Sequence, residues 1–149
     1  MEFSNEEEVM MKEKGLLAIV VFCLAILGIA GCVYQSEDKA DEEALTWMAL
    51  LDDGEYGKSW DMASAYFKTV IARDKWEQSV TSGRKPLGRL LSRKMKARQA
   101  TRALPGAPDG EYVVIKFESS FEGKAKAWET VTPMRDKDGL WRVGGYYLQ

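Results

Sequence analysis

The chain has 149 residues, 46% of them hydrophobic and 30% charged, with 21 basic against 23 acidic groups, two cysteines and no histidine. That composition suits one globular domain and is short for two. Without histidine, a Ser-His-Asp triad, a Cys-His dyad, a His-ligated metal and imidazole acid–base catalysis are all excluded.

The first feature in chain order is the apolar run LLAIVVFCLAILGIA from Leu16 to Ala30, with Lys12 and Lys14 ahead of it and Gly31-Cys32 behind. It fits the apolar region of a signal peptide and falls short of the roughly 20 residues of a membrane span. Ile29-Ala30-Gly31-Cys32 resembles the lipobox of bacterial lipoproteins, whose cysteine is acylated and becomes the mature N-terminus; an uncleaved anchor is the alternative. Glu2, Glu6, Glu7 and Glu8 clash with the basic start of such a signal, and initiation at Met10 or Met11 removes the clash. The expected organisation is a signal peptide over 1–31, a lipidated tether over 32–40 and a single domain over 41–149. Cys23 then leaves with the signal and lipid consumes the Cys32 thiol, so cysteine chemistry disappears as well.

Residues 1–31 hold two Lys and five Glu, leaving 19 basic and 18 acidic groups in the remainder. Nine acids against two bases lie between Glu37 and Asp61, and eight bases without an acid lie between Arg84 and Arg102. The basic run reads either as a site for anionic lipid, glycan or protein, or as a solvated face answered by the acidic helix, which is the commoner case.

From Asp41, the spacing of Ala44, Leu45, Trp47, Met48 and Leu51 predicts a helix stopped at Asp53-Gly54. A second is expected from Tyr56 to Ile71, with Trp60, Ala63, Tyr66 or Phe67, and Val70 on one stripe. A third carries Trp76 and Val80, ends near Ser82-Gly83, and cannot run cleanly through Pro86. The period then changes to two, with turns at Pro108-Asp109-Gly110, Glu122-Gly123 and Asp138-Gly139, the pattern of a four-stranded antiparallel meander. Pairing Phe121 with Lys124 sets Phe117, Ile115 and Val113 opposite Trp128, Thr130 and Thr132, and Lys116 opposite Glu129. Pairing Arg135 with Leu140 brings Val143, Gly145 and Tyr147 to the same apolar face. The first strand, Leu91 to Ala103, also suits a basic helix. As a strand it turns Met95, Ala97, Gln99, Thr101 and Ala103 inward and sends Lys94, Lys96, Arg98 and Arg102 outward as a stripe, with Arg98 near Glu118.

The expected fold class is therefore α+β, two or three N-terminal helices on a curved four-stranded sheet. This order resembles the cone-shaped fold of nuclear transport factor two. Gly54-Glu55-Tyr56, Ser59-Trp60, Trp76, Arg84-Lys85-Pro86-Leu87-Gly88, Ser92-Arg93, the turn from Leu104 to Tyr112, Glu129-Thr130-Val131 and the strand from Gly139 to Tyr147 are similar to a bacterial family known only as a domain of unknown function, number four thousand and nineteen. The resemblance covers about residues 41–148 and implies an exported or lipid-anchored protein without implying an activity.

Glu129 is the first carboxylate to inspect, as a general base of raised pKa or as an ion pair with Lys116, Arg93 or Arg142. Trp60, Trp128 and Tyr146, with Trp76, Trp141 and Tyr147, line a pocket or fill the core. Arg84 and Arg93, which resemble residues of the family motif, orient an anionic ligand, cap helix ends or answer Asp61. No phosphate loop, calcium loop, metal site or cofactor motif is present in the sequence, and export removes nucleic acid as a partner. The expectation is a non-enzymatic binding or assembly module held in the cell envelope by lipid on Cys32. If the bacterium is Gram-negative, Val33 after the cysteine is similar to outer-membrane sorting. The rival is a cone-fold enzyme or small-ligand receptor using Glu129, and a homodimer through one sheet face is a third reading.

Overall fold

The computed structural model describes residues 38–149. The signal peptide, Cys32 and most of the tether lie outside the described residues. The first helix, α1, already covers residues 38–40 and continues to 52. Those three positions, expected in the tether, are helical because Ala40 is the first member of the buried stripe Ala40, Ala44, Trp47, Met48 and Leu51. Leu45, expected on that stripe, points away and is 47% exposed. The helix ends where Gly54 takes a φ of +75. There the amide of Glu55 donates to the Leu50 carbonyl at 2.8 Å and that of Gly54 to Leu51 at 3.3 Å, closing a glycine C-cap.

The helix expected over Tyr56 to Ile71 is two helices, α2 (Tyr56–Met62) and α3 (Ala65–Val70). Ala63 and Ser64 are extended between them, and the Ser64 hydroxyl caps α3 by accepting from the Phe67 amide at 3.0 Å. The Ser64 amide donates to the Val143 carbonyl at 2.9 Å, so the break also ties the helices to the sheet. Phe67 goes into the core, whereas Val70 is 65% exposed. Next, α4 (Arg73–Arg84) buries Trp76, Val80 and Arg84 at four-residue spacing. Pro86 sits in a single 3-10 turn, Lys85–Leu87, where its missing amide costs no helical bond.

Four strands follow, β1 (Leu90–Thr101), β2 (Tyr112–Phe121), β3 (Lys124–Arg135) and β4 (Trp141–Leu148), paired antiparallel in the order β1-β2-β3-β4. This α+β meander is the expected fold class. Its register is not the expected one. Phe121 does pair with Lys124, but an irregularity between Ser119 and Phe121 shifts the ladder, so Phe117 faces Glu129, Ile115 faces Val131 and Lys116 faces Thr130. A second, between Thr132 and Pro133, leaves Arg135 opposite Trp141 and Thr130 opposite Tyr147. One residue of slip exchanges the faces of a strand. On β3 it is therefore Ala127, Glu129, Val131 and Pro133 that turn inward, and Trp128, Thr130 and Thr132 that turn out.

The core lies between the helices and this inward face, with Val113, Ile115, Phe117, Val131 and Val143 of the sheet against Trp47, Met48, Leu51, Phe67, Trp76 and Val80. Trp76 is the hinge of its aromatic part, with ring centroids 5.0 Å from Phe67 and 5.7 Å from Trp47. The turn from Leu104 to Tyr112 is held from two sides: Tyr66 OH donates to the Gly106 carbonyl at 2.8 Å, and Tyr112 OH to that of Pro108 at 2.5 Å. Among the described residues no helix is long and apolar enough to cross a membrane.

Candidate functional site

At the buried end of the core, six elements each contribute one polar side chain to a single cluster. Asp52 comes from the last turn of α1, Arg84 from the last turn of α4, Arg93 from β1, Ser119 from β2, Glu129 from β3 and Tyr146 from β4. Glu129 is at the centre and is 0% exposed. Its Oε1 accepts from Arg84 Nη1 at 2.5 Å, from Tyr146 OH at 2.6 Å and from Arg93 Nη2 at 3.2 Å. Its Oε2 accepts from Arg93 Nε at 2.8 Å and from Ser119 Oγ at 2.5 Å. Asp52 closes the far side: Arg93 donates to it in bidentate fashion at 2.7 and 2.9 Å, and Arg84 Nη2 donates to its Oδ1. The Arg84 guanidinium also lies over the Phe121 ring, 5.0 Å from its centroid.

Two guanidiniums and two carboxylates leave the cluster neutral, the condition under which buried charge is tolerated. Burial alone would raise the pKa of Glu129, but the Arg93 bonds and charge, with Ser119 and Tyr146, outweigh it and hold the carboxyl below its ordinary value. Burial, then the Glu129 charge, push the Tyr146 phenol far above its ordinary range. Arg93 is also raised, because its bonds to Asp52 and Glu129 outweigh the burial that opposes them. Glu129 is thus an ionised acceptor with five donors around it, not a carboxyl of raised pKa waiting to take a proton.

Four of the residues singled out from the sequence, Arg84, Arg93, Glu129 and Tyr146, meet here. The expected Lys116–Glu129 pair does not form, because the shifted register puts the two side chains on opposite faces. Arg142 is engaged by Asp136 at 3.0 Å and Asp138 at 2.8 Å, and Asp61 pairs with Arg73 rather than Arg84. The expected basic stripe divides. An irregularity between Met95 and Ala97 turns Arg98 to the helix side, where its Nε donates to Asp41 of α1 at 2.8 Å. Lys96 takes the place expected for Arg98, 3.6 Å from Glu118. Arg102 lies beyond the end of β1. Three bases of the run, Arg84, Arg93 and Arg98, therefore answer acids of α1.

Trp60 is away from the cluster, with its Nε1 donating to the Ile71 carbonyl at 2.9 Å. Trp128 is on the outer face of the sheet, beneath Lys116 at 4.6 Å and Lys126 at 5.3 Å from its ring centroid. Asp52, Ser119 and Lys126 were not picked out from the sequence, and Lys116 was picked out only as a partner of Glu129. Both cluster members had a signal: Asp52 continues the buried positions Ala44 and Met48 at four-residue spacing, and Ser119 continues the inward positions Val113, Ile115 and Phe117 at two-residue spacing.

Among the described residues no group of three or more His, Cys, Asp or Glu could hold a metal ion. Arg84 and Tyr146 border a groove of about 450 Å³ between α4 and the end of β4. No curated protein matches the chain. Residues 43–146, which include all six members of the cluster and exclude Cys32, match the family described as "Protein of unknown function (DUF4019)", and the chain belongs to that family.

Proposed function

We propose that the protein is a lipid-anchored component of the bacterial cell envelope whose domain is a non-enzymatic binding or assembly module. The observation that carries the non-enzymatic part is the saturation of Glu129: the one acid fully buried among the described residues is surrounded by donors and locked to two arginines. The anchor rests on the lipobox-like Ile29-Ala30-Gly31-Cys32 behind its apolar run. Helices followed by an antiparallel meander also support the resemblance to the cone fold of nuclear transport factor two.

The surface offered to an anionic partner is the outer sheet face. Lys94 and Lys96 of β1 lie there with Lys116 of β2 and Lys126 of β3, around Trp128 and with Glu118 between them. Aromatic and ammonium groups side by side suit a headgroup or acidic polymer surface. A homodimer through this face is the competing use of it.

Metabolic labelling with a radioactive fatty acid tests the anchor: the full chain should take up label and Cys32→Ser should not. Label kept by Cys32→Ser, or none in the unchanged protein, overturns it. Replacing Lys94, Lys96, Lys116 and Lys126 with Gln should abolish any preference for anionic over zwitterionic vesicles, as should about 0.5 M salt, where the Debye length falls to a few ångströms. An unchanged preference removes this face as the partner surface.

A further inference from the structure

The groove beside the cluster has a chemistry of its own. Its walls include Trp76, Val80, Leu87, Leu148 and Gln149, and the charged side chains lining it are Arg84 and Lys124. Arg84 spends Nη1 and Nη2 on Glu129, Tyr146 and Asp52, while its Nε–H donates to no acceptor. Every fully buried side-chain nitrogen and oxygen among the described residues has a partner, so this Nε–H keeps some exposure, and Arg84 is a lining residue of the groove.

Gly83 adds an independent observation. It lies on the groove wall in α4, its φ is not positive, and a Cβ built on it would meet nothing within 4 Å. Glycine in a helix is less favourable than alanine by up to about 1 kcal/mol. Neither a left-handed backbone nor a close neighbour calls for it here, in contrast to Gly123, whose Cβ would lie 2.8 Å from the Pro86 carbonyl oxygen. A side chain longer than that of alanine at position 83 would extend into the open space beside the groove.

We propose that this groove binds a small amphipathic anion, an acyl chain with an anionic head, the chain against Trp76, Val80, Leu87 and Leu148 and the head held by Arg84 and Lys124. About 450 Å³ is within the range of small-molecule sites, and apolar walls with a few placed polar groups are their usual make-up. The proposal deepens the binding-module reading by naming a ligand class, and it is independent of the Cys32 lipid and of the outer lysine face.

Photolabelling of the full chain tests it. A photoreactive decanoate should label peptides from Trp76–Leu87 and Tyr146–Gln149. Decanoate should compete at concentrations about tenfold lower than decanol, the difference expected from one charge-assisted contact. Decyltrimethylammonium should not compete. Gly83→Leu, which fills the groove without forbidden backbone, should cut labelling about tenfold with an unchanged or higher melting temperature, and Lys124→Gln should cut it several-fold. A parallel arm with photoreactive phosphatidylglycerol in vesicles identifies the source: labelling of the same peptides by either reagent supports the site. Labelling only elsewhere, equal competition by the alcohol, or labelling indifferent to both substitutions overturns it. Should the vesicle preference of the outer face survive while groove labelling fails, the groove alone is lost.

Discussion

Arg84 and Glu129 are 45 positions apart in the chain and meet at 2.5 Å, with side chains that are 5% and 0% exposed. Each charge is buried and paired, Glu129 with both arginines and Arg84 with both carboxylates. Because Arg93 and Asp52 complete the pairing, the four charges join α1 and α4 to β1 and β3 at one point.

Glu129→Gln leaves two guanidiniums facing the single carboxylate of Asp52. Removing one partner of a buried pair costs about 3–5 kcal/mol, and urea unfolding should show a loss of that size. Asp52→Asn should cost less, about 1.5–3 kcal/mol, because Asp52 is partly exposed and Glu129 still holds both arginines. Equal small losses from the two would show that the cluster does not carry stability.

The same carboxylate sets an acid limit. Its pKa in the fold is held below the value of about 4.3 for a free glutamate, so its contribution is complete above that pH and is lost as pH falls through the folded value. Tyr146 works in the other direction: raised in the fold, it contributes fully below about pH 10 and its contribution declines as pH rises beyond that. Stability measured against pH should fall at both ends. Glu129→Gln should flatten the acid side and Tyr146→Phe the alkaline side.

Gly123 tests the contact between the 3-10 turn and the β2–β3 hairpin. Its amide donates to the Leu87 carbonyl at 2.8 Å, and an added Cβ would meet backbone oxygens of Pro86 and Leu87 at 2.8 and 3.2 Å. Backbone cannot swing aside, so Gly123→Ala should cost about 1–3 kcal/mol in thermal or urea unfolding. Gly83→Ala, in open space, should be neutral or stabilising by up to about 1 kcal/mol.

Ser64→Ala removes the cap of α3 and should cost about 1 kcal/mol. Ser64→Asp, able to accept from the same amide but charged in a buried position, should not restore stability. Full recovery by aspartate would show that the site is wetter than its burial implies.

Local chemistry was readable from the residues alone. Asp53-Gly54, Glu122-Gly123 and Asp138-Gly139 end or reverse the chain as expected, and Gly54 and Gly139 have the positive φ such turns need. The periods of 3.6 and 2 separated helices from strands. The break at Ala63-Ser64 was missed because a buried stripe can continue across two short helices; only the Ser64 hydroxyl and its bond to β4 distinguish them.

By itself, the sequence determined the α+β class, the order of the elements, the turns and the exclusion of histidine chemistry, all of which depend on neighbours a few residues apart. Tertiary structure decided which face each strand residue occupies. The irregularities near Ser119, Met95 and Thr132 each displace the ladder by one residue. That displacement takes Glu129 from a surface pair with Lys116 into the centre of the buried cluster. It also moves Trp128 to the outer face and turns Arg98 toward α1. Contacts spanning 45 residues depend on register, and register is a property of the assembled sheet, not of any one strand.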